Sequence, residues 1–140
     1  MNLIAAHRLR ARPGEIAPVE GWLQDFATRA ALPDPVRHAF DLALEEWLSN
    51  IIKYAYNHPE GDHWIELRFL AGPGWARVQI EDAGCEFNPL TAPPVDTTES
   101  LETRSVGGLG LHMIRQLMDT ADYRREGGRN ILTLSKRMPG

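Results

Sequence analysis

The sequence predicts an α+β fold: a two-layer α/β sandwich with a mixed, mostly antiparallel sheet and helices on one face. Three observations carry this. The strand-like segments keep polar residues at their off-core positions (Arg8, Arg10, Glu66, Arg68, Arg77, Gln79), the pattern of a sheet with one packed and one wet face. Separate segments carry apolar residues at helical spacing and supply the layer that covers the packed face. The length, 140 residues, suits one domain by the usual range of roughly 100–200. A doubly wound parallel sheet ranks second, since it needs both sheet faces apolar.

The elements follow in order. Leu3, Ala5, Leu9 and Ala11 alternate with Arg8, Arg10 and Arg12, which predicts a half-buried strand ended by Pro13-Gly14. From Glu15 to Ala31, Ile16, Val19, Trp22 (or Leu23), Phe26 and Ala30 recur at helical spacing. Leu32-Pro33-Asp34-Pro35 breaks this helix, and Asp34 is the expected cap of the next, with Pro35 at its first position. Phe40, Leu44, Trp47, Leu48, Ile51 and Ala55 form a broad apolar stripe on a second helix, from about Pro35 to Tyr56. Asn57 to Asp62 supplies the turn chemistry that stops it. Ile65, Leu67 and Phe69, then Ala76, Val78 and Ile80, alternate with polar residues, and Gly72-Pro73-Gly74 between them predicts a hairpin.

Cys85 to Val106 has no periodicity and carries three prolines, Pro89, Pro93 and Pro94. So long an unstructured stretch in a compact domain is commonly a functional loop such as a lid. Gly107 to Gly110 opens a third helix with Leu111, Ile114, Leu117 and Met118 as its apolar positions. Tyr123 to Glu126, Gly127-Gly128 and Asn130 to Lys136 predict a last hairpin.

Composition narrows the function. The single cysteine, Cys85, forms no internal disulfide, and the N-terminus lacks the apolar core of a signal peptide, so a reducing cytoplasmic setting is expected. No apolar run reaches the length needed to span a bilayer. The net charge of −4 is opposite to what non-specific nucleic-acid binding wants. His7, His38, His58, His63 and His112 show no metal-ligand spacing, which argues against zinc. Trp22, Trp47, Trp64 and Trp75 are assigned to packing.

Three features carry chemistry. Glu46, Asn50 and Lys53, at spacings of four and three, share one helix face. An amide oxygen suits Mg²⁺, an ammonium balances phosphate charge, and a carboxylate accepts a proton. Alone, the same stripe describes an ordinary solvated helix face. Asp82-Ala83-Gly84 ends an apolar strand and places an acceptor beside a sharp turn. Gly107-Gly108-Leu109-Gly110 before a helix offers backbone N–H groups to an anion, but it is neither a P-loop nor a dinucleotide fingerprint.

In this order, Glu46-Trp-Leu-Ser-Asn50-Ile-Ile-Lys53-Tyr54, then Asp82-Ala-Gly84, then a long loop and Gly107-Gly108-Leu109-Gly110, the chain resembles the GHKL ATPase superfamily of gyrase B, Hsp90, MutL and the histidine kinases. The stretches look like its N box and two glycine boxes, and the implied architecture is the Bergerat sandwich. The likeness runs from Met1 to Arg137. The roughly 35 residues before the second helix are too few for the helix pair of a histidine kinase, and neither that pair nor a transducer domain is expected. The size is similar to that of the anti-sigma-factor serine/threonine kinases of bacterial partner switching.

The resemblance implies one ATPase domain over 1–140, with an ATP lid at about 85–106. It implies Mg²⁺ and ATP as cofactors, with Asn50 on the metal and Glu46 as the base that activates a substrate serine. Lys53 and Tyr54 match phosphate- and ribose-side contacts. Asp82 would accept from the adenine amino group, Gly84 would let the chain pass the base, and Gly108, Leu109 and Gly110 would meet the phosphates. Arg104 in the lid would touch the γ-phosphate or the partner. A polar residue of the last hairpin would support Asp82; Asn130 and Thr133 both qualify, and Thr133 is counted with the nucleotide set. The implied partners are a STAS-domain anti-anti-sigma protein, a sigma factor and a second copy in a homodimer. One departure stands out: Glu86 occupies the second glycine of the first glycine box, followed by Phe87-Asn88-Pro89. It supports an alternative, a nucleotide-gated protein-binding switch without kinase turnover.

Overall fold

The computed structural model describes residues 1–56, 62–91 and 114–139. Strand β1 (Asn2–Arg10) leads through a 3-10 turn at Pro13–Glu15 into helix α1 (Ala17–Ala30) and helix α2 (Asp34–Tyr54). Strands β2 (Trp64–Gly72) and β3 (Trp75–Asp82) follow, then a 3-10 turn at Pro89–Thr91, and finally β4 (Thr120–Glu126) and β5 (Arg129–Arg137). The five strands lie in the order β1-β2-β3-β5-β4. Every ladder between these described strands is antiparallel, in line with the mostly antiparallel sheet expected.

The strand periods place the core on one side. Ile65, Leu67, Phe69, Ala76, Val78, Ile80, Leu132 and Leu134 are buried on the packed face, against Leu23, Phe26, Phe40, Leu44, Leu48 and Ile51 of the two helices. Phe26 meets Phe69 with ring centroids 5.2 Å apart. Residues 114–117 are helical, and Ile114 and Met118 join the same core. The start of the third helix, Gly107 to Leu111, lies outside the described residues, as does the turn after α2.

Both hairpins have the predicted chemistry. Gly74 takes φ 76° in the β2–β3 turn, after Pro73. Gly127 and Gly128 take φ 58° and 77°, the two left-handed positions that a type I′ turn requires. On the open face, Arg77 Nε donates to Ser135 Oγ at 3.0 Å, and Glu66 lies among Arg8, Arg68 and Arg129. This face is less wet than its polar pattern suggests, since Ile131 and Ser135 are buried on it.

Two local expectations are corrected. Leu3 is exposed: the register shifts between Leu3 and Ala5, and Ile4 packs against the core in its place. An extra residue in one strand reverses which side chains face inward beyond it. Asp34 is not the cap of α2. The cap position is Pro33, without a side-chain hydrogen bond, and Asp34 lies in the first turn, where its charge suits the positive helix end.

Candidate functional site

The site forms where the last turns of α2 face the end of β3. The α2 stripe that buries Leu44, Leu48 and Ile51 turns the next face, with Trp47, Asn50 and Tyr54, toward an open cavity of about 170 Å³. Ile51, Ala55, Asp82, Cys85, Glu86, Phe87 and Asn130 complete its wall.

On the α2 side, Asn50 is 7% exposed. Its Nδ2 donates to the Glu46 carbonyl at 2.8 Å and to Glu46 Oε1 at 3.0 Å. These contacts orient the amide and leave Oδ1 buried without a hydrogen-bond partner among the described residues. An unpaired buried carbonyl oxygen costs roughly 1–3 kcal/mol unless a ligand takes it. A hard cation that favours oxygen donors fits it, so the residues suit Mg²⁺. Glu46, half-buried one turn earlier, is not on the cavity wall but is tied to Asn50. Lys53 is exposed and also off the wall, whereas Tyr54 lines it.

On the β3 side, Asp82 is 1% exposed. Its Oδ1 accepts from the Gly84 N–H at 2.8 Å and from Asn130 Nδ2 at 3.1 Å. Burial holds its carboxyl above the ordinary carboxylate range, with the Asn130 and Gly84 hydrogen bonds and the Arg125 and Arg129 charges pulling the other way. Gly84 is required by space: a Cβ there would lie 2.6 Å from Ala55 Cβ and 2.7 Å from the Ala55 oxygen. The Cys85 N–H donates to that same oxygen at 2.8 Å, which ties the β3 exit to the end of α2. Phe87 stacks on Trp47 at 6.1 Å and gives the cavity an aromatic flank.

The support for Asp82 comes from Asn130, and Thr133 is corrected. Asn130 pairs with Asp82 across the β3–β5 ladder, and Thr133 pairs with Gln79. Three residues along a strand reverse the face, so Thr133 sits on the open face, where Gln79 Nε2 donates to its Oγ1 at 3.3 Å. Sequence reading also passed over Tyr123 and Arg125, whose side chains reach Asn130 from β4. Their only signal was a pair of polar residues in the last hairpin. Arg104, Gly108, Leu109 and Gly110 lie outside the described residues, as does the lid beyond Thr91.

Comparison with known proteins bears on the family and the fold. A family profile described as the histidine kinase-like ATPase domain matches residues 9–136. The serine/threonine-protein kinase BtrW of Bordetella bronchiseptica is 31% identical over 116 residues, 81% of this chain and 80% of that protein. The serine-protein kinase RsbW of Listeria monocytogenes is 29% identical over 131 residues, 90% of this chain and 83% of its own. Among solved structures, the RsbU and RsbW domains of Rv1364c from Mycobacterium tuberculosis superpose with a TM-score of 0.66 at 18% identity, over 96% of this chain and 32% of that one. That last likeness is one of fold.

Proposed function

The chain belongs to the histidine kinase-like ATPase domain family, and from that premise we propose that it is a Mg·ATP-dependent protein serine/threonine kinase of the anti-sigma type. Its substrate would be a serine on a STAS-domain anti-anti-sigma partner, and it would hold a sigma factor in the cytoplasm, as a homodimer, when that partner is phosphorylated. The observation that carries this reading is the Glu46–Asn50 pair on α2, placed across one cavity from the buried Asp82–Asn130 pair. The relatives named as serine-protein kinases support it. No helix among the described residues is long and apolar enough to cross a membrane.

In this reading Asp82 accepts a hydrogen bond from the adenine amino group, and Ile51, Tyr54 and Phe87 enclose the nucleoside. Asn50 Oδ1 would hold Mg²⁺, which neutralises phosphate charge when bound. Glu46 accepts the proton of the attacking serine hydroxyl, while its hydrogen bond to Asn50 fixes its carboxylate near the phosphates. Tyr54 and Lys53 border the ribose and phosphates. Arg104, Gly108, Leu109 and Gly110 complete the phosphate side, with the lid at about 85–106 closing the one domain of 1–140. Phosphoryl transfer needs mostly positioning and charge stabilisation, which these groups provide.

The test mixes the protein with Mg²⁺, γ-labelled ATP and STAS proteins of the same genome, and locates any label. The expected result is label on a STAS serine, reduced at least a hundredfold in Glu46→Gln with nucleotide affinity retained. Transfer at the wild-type rate by Glu46→Gln would refute the assignment of the base. A second reading, a nucleotide-gated binding switch, is favoured by Glu86, an extra carboxylate on the cavity wall. It predicts nucleotide-dependent partner affinity with no phosphoserine formed.

A further inference from the structure

The Asn130 amide is oriented from behind the cavity by two residues that do not line it. Its Oδ1 accepts from the Tyr123 hydroxyl at 2.6 Å, from Arg125 NH1 at 3.1 Å and from the Phe87 N–H at 3.4 Å. Its Nδ2 donates to the Cys85 carbonyl at 2.8 Å and to Asp82 Oδ1 at 3.1 Å. A guanidinium and a backbone N–H only donate, and a carbonyl only accepts, so the amide has one orientation compatible with its surroundings. Burial, and then the neighbouring Glu86 carboxylate, hold the Tyr123 phenol above its ordinary value, so it stays a donor at neutral pH. Arg125 NH1 also donates to the Gly84 carbonyl at 2.8 Å, so one side chain grips both the amide and the β3 exit.

We propose that Tyr123 and Arg125 are positioning residues for base selection, which act through Asn130 to present Asp82 to the ligand as a carboxylate that only accepts. This rests on the nucleotide reading above. With Oδ1 already engaged by Gly84 and Asn130, base recognition falls to Oδ2. A carboxylate so held favours a purine with an exocyclic amino group at the contacted position and rejects one with a carbonyl there. Without the Tyr123 and Arg125 donors, Asn130 Oδ1 keeps only the long Phe87 N–H contact at 3.4 Å, so the amide is held less firmly and the N–H that fixes Asp82 is weakened. Discrimination between the two bases then falls, while the remaining contacts to ribose and phosphate persist.

The experiment measures the affinity of ADP and of inosine diphosphate, whose base carries a carbonyl in place of the amino group. Both are titrated into the wild-type protein, Tyr123→Phe, Arg125→Met, the double variant and Arg125→Lys. Tyr123→Phe keeps the ring, and Arg125 is an exposed side chain, so both single variants are suited to fold. The expected result is ADP affinity reduced about tenfold in the double variant, with inosine diphosphate changed less than twofold. The preference then narrows at least fivefold. Arg125→Lys, which keeps an N–H donor, retains most of the wild-type preference. A purely structural role weakens both nucleotides alike, and an unchanged ratio in the double variant overturns the inference alone. Failure of the wild-type protein to bind either nucleotide overturns the nucleotide reading and this inference with it.

Discussion

Asp82 concentrates the conflict between stability and binding. Its carboxylate is buried to 1% exposure, and burial raises its pKa. Between the ordinary carboxylate range and the raised native value, the folded protein binds more protons than the unfolded chain, so stability falls as pH rises through that window. Under the proposed role of Asp82, binding runs the other way, because its acceptor is lost as pH falls through the raised value. Asp82→Asn is therefore expected to leave the melting temperature at neutral pH equal or higher, while it presents an N–H₂ where an acceptor is needed. ADP affinity should drop roughly 10–100-fold, the worth of a hydrogen bond to a charged group. Calorimetric melting and titration of the same samples check both halves. At Gly84 the constraint is steric. Gly84→Ala places a methyl 2.6 Å from Ala55 Cβ and should cost about 1–3 kcal/mol as an overpacked contact, measured by urea denaturation.

At the scale of elements, legibility followed the hydrophobic period. Helix α2 runs over Asp34–Tyr54, close to the span its stripe predicts, and both hairpin turns are where their glycines place them. What the sequence alone left open depended on register. Choosing Asn130 over Thr133 requires knowing that Asp82 stands opposite Asn130 in the β3–β5 ladder, and one residue of slip would exchange the faces. The same holds at β1, where the register shift between Leu3 and Ala5 puts Ile4 inward. The partners of Asn130 on β4 are contacts of a folded hairpin, with no periodic trace in the sequence. One element end carries strain of its own. Helix α1 ends at Ala31 in the left-handed region, φ 54° and ψ 47°, where a Cβ costs about 1–2 kcal/mol. Ala31→Gly should therefore stabilise the protein by up to about 1 kcal/mol, less the entropy glycine adds to the unfolded chain. A shift of the urea midpoint to higher concentration, with an unchanged slope, is the expected reading.

At the scale of the whole molecule, one core among the described residues joins the sheet to α1 and α2, and the candidate site sits at its rim, where α2 and the end of β3 converge. Phe69, wholly buried against Phe26, belongs to that core, and Phe69→Ala should cost about 3–5 kcal/mol. Thermal unfolding followed by more than one probe should show this as a single cooperative transition at lower temperature. The site borrows its rigidity from this core, because Asn50 and Asp82 are both buried side chains on regular elements, not on loops. These two walls are proposed to bind one nucleotide between them. The most direct test is calorimetric titration of ADP, with and without Mg²⁺, into the wild-type protein, Asn50→Ala and Asp82→Asn. Saturable binding by the wild-type protein, tightened by Mg²⁺, is expected. Asn50→Ala should lose the Mg²⁺ effect, and Asp82→Asn should lose most of the affinity. Absence of binding by a folded wild-type protein, or binding that neither substitution alters, would show that the cavity is not a nucleotide site.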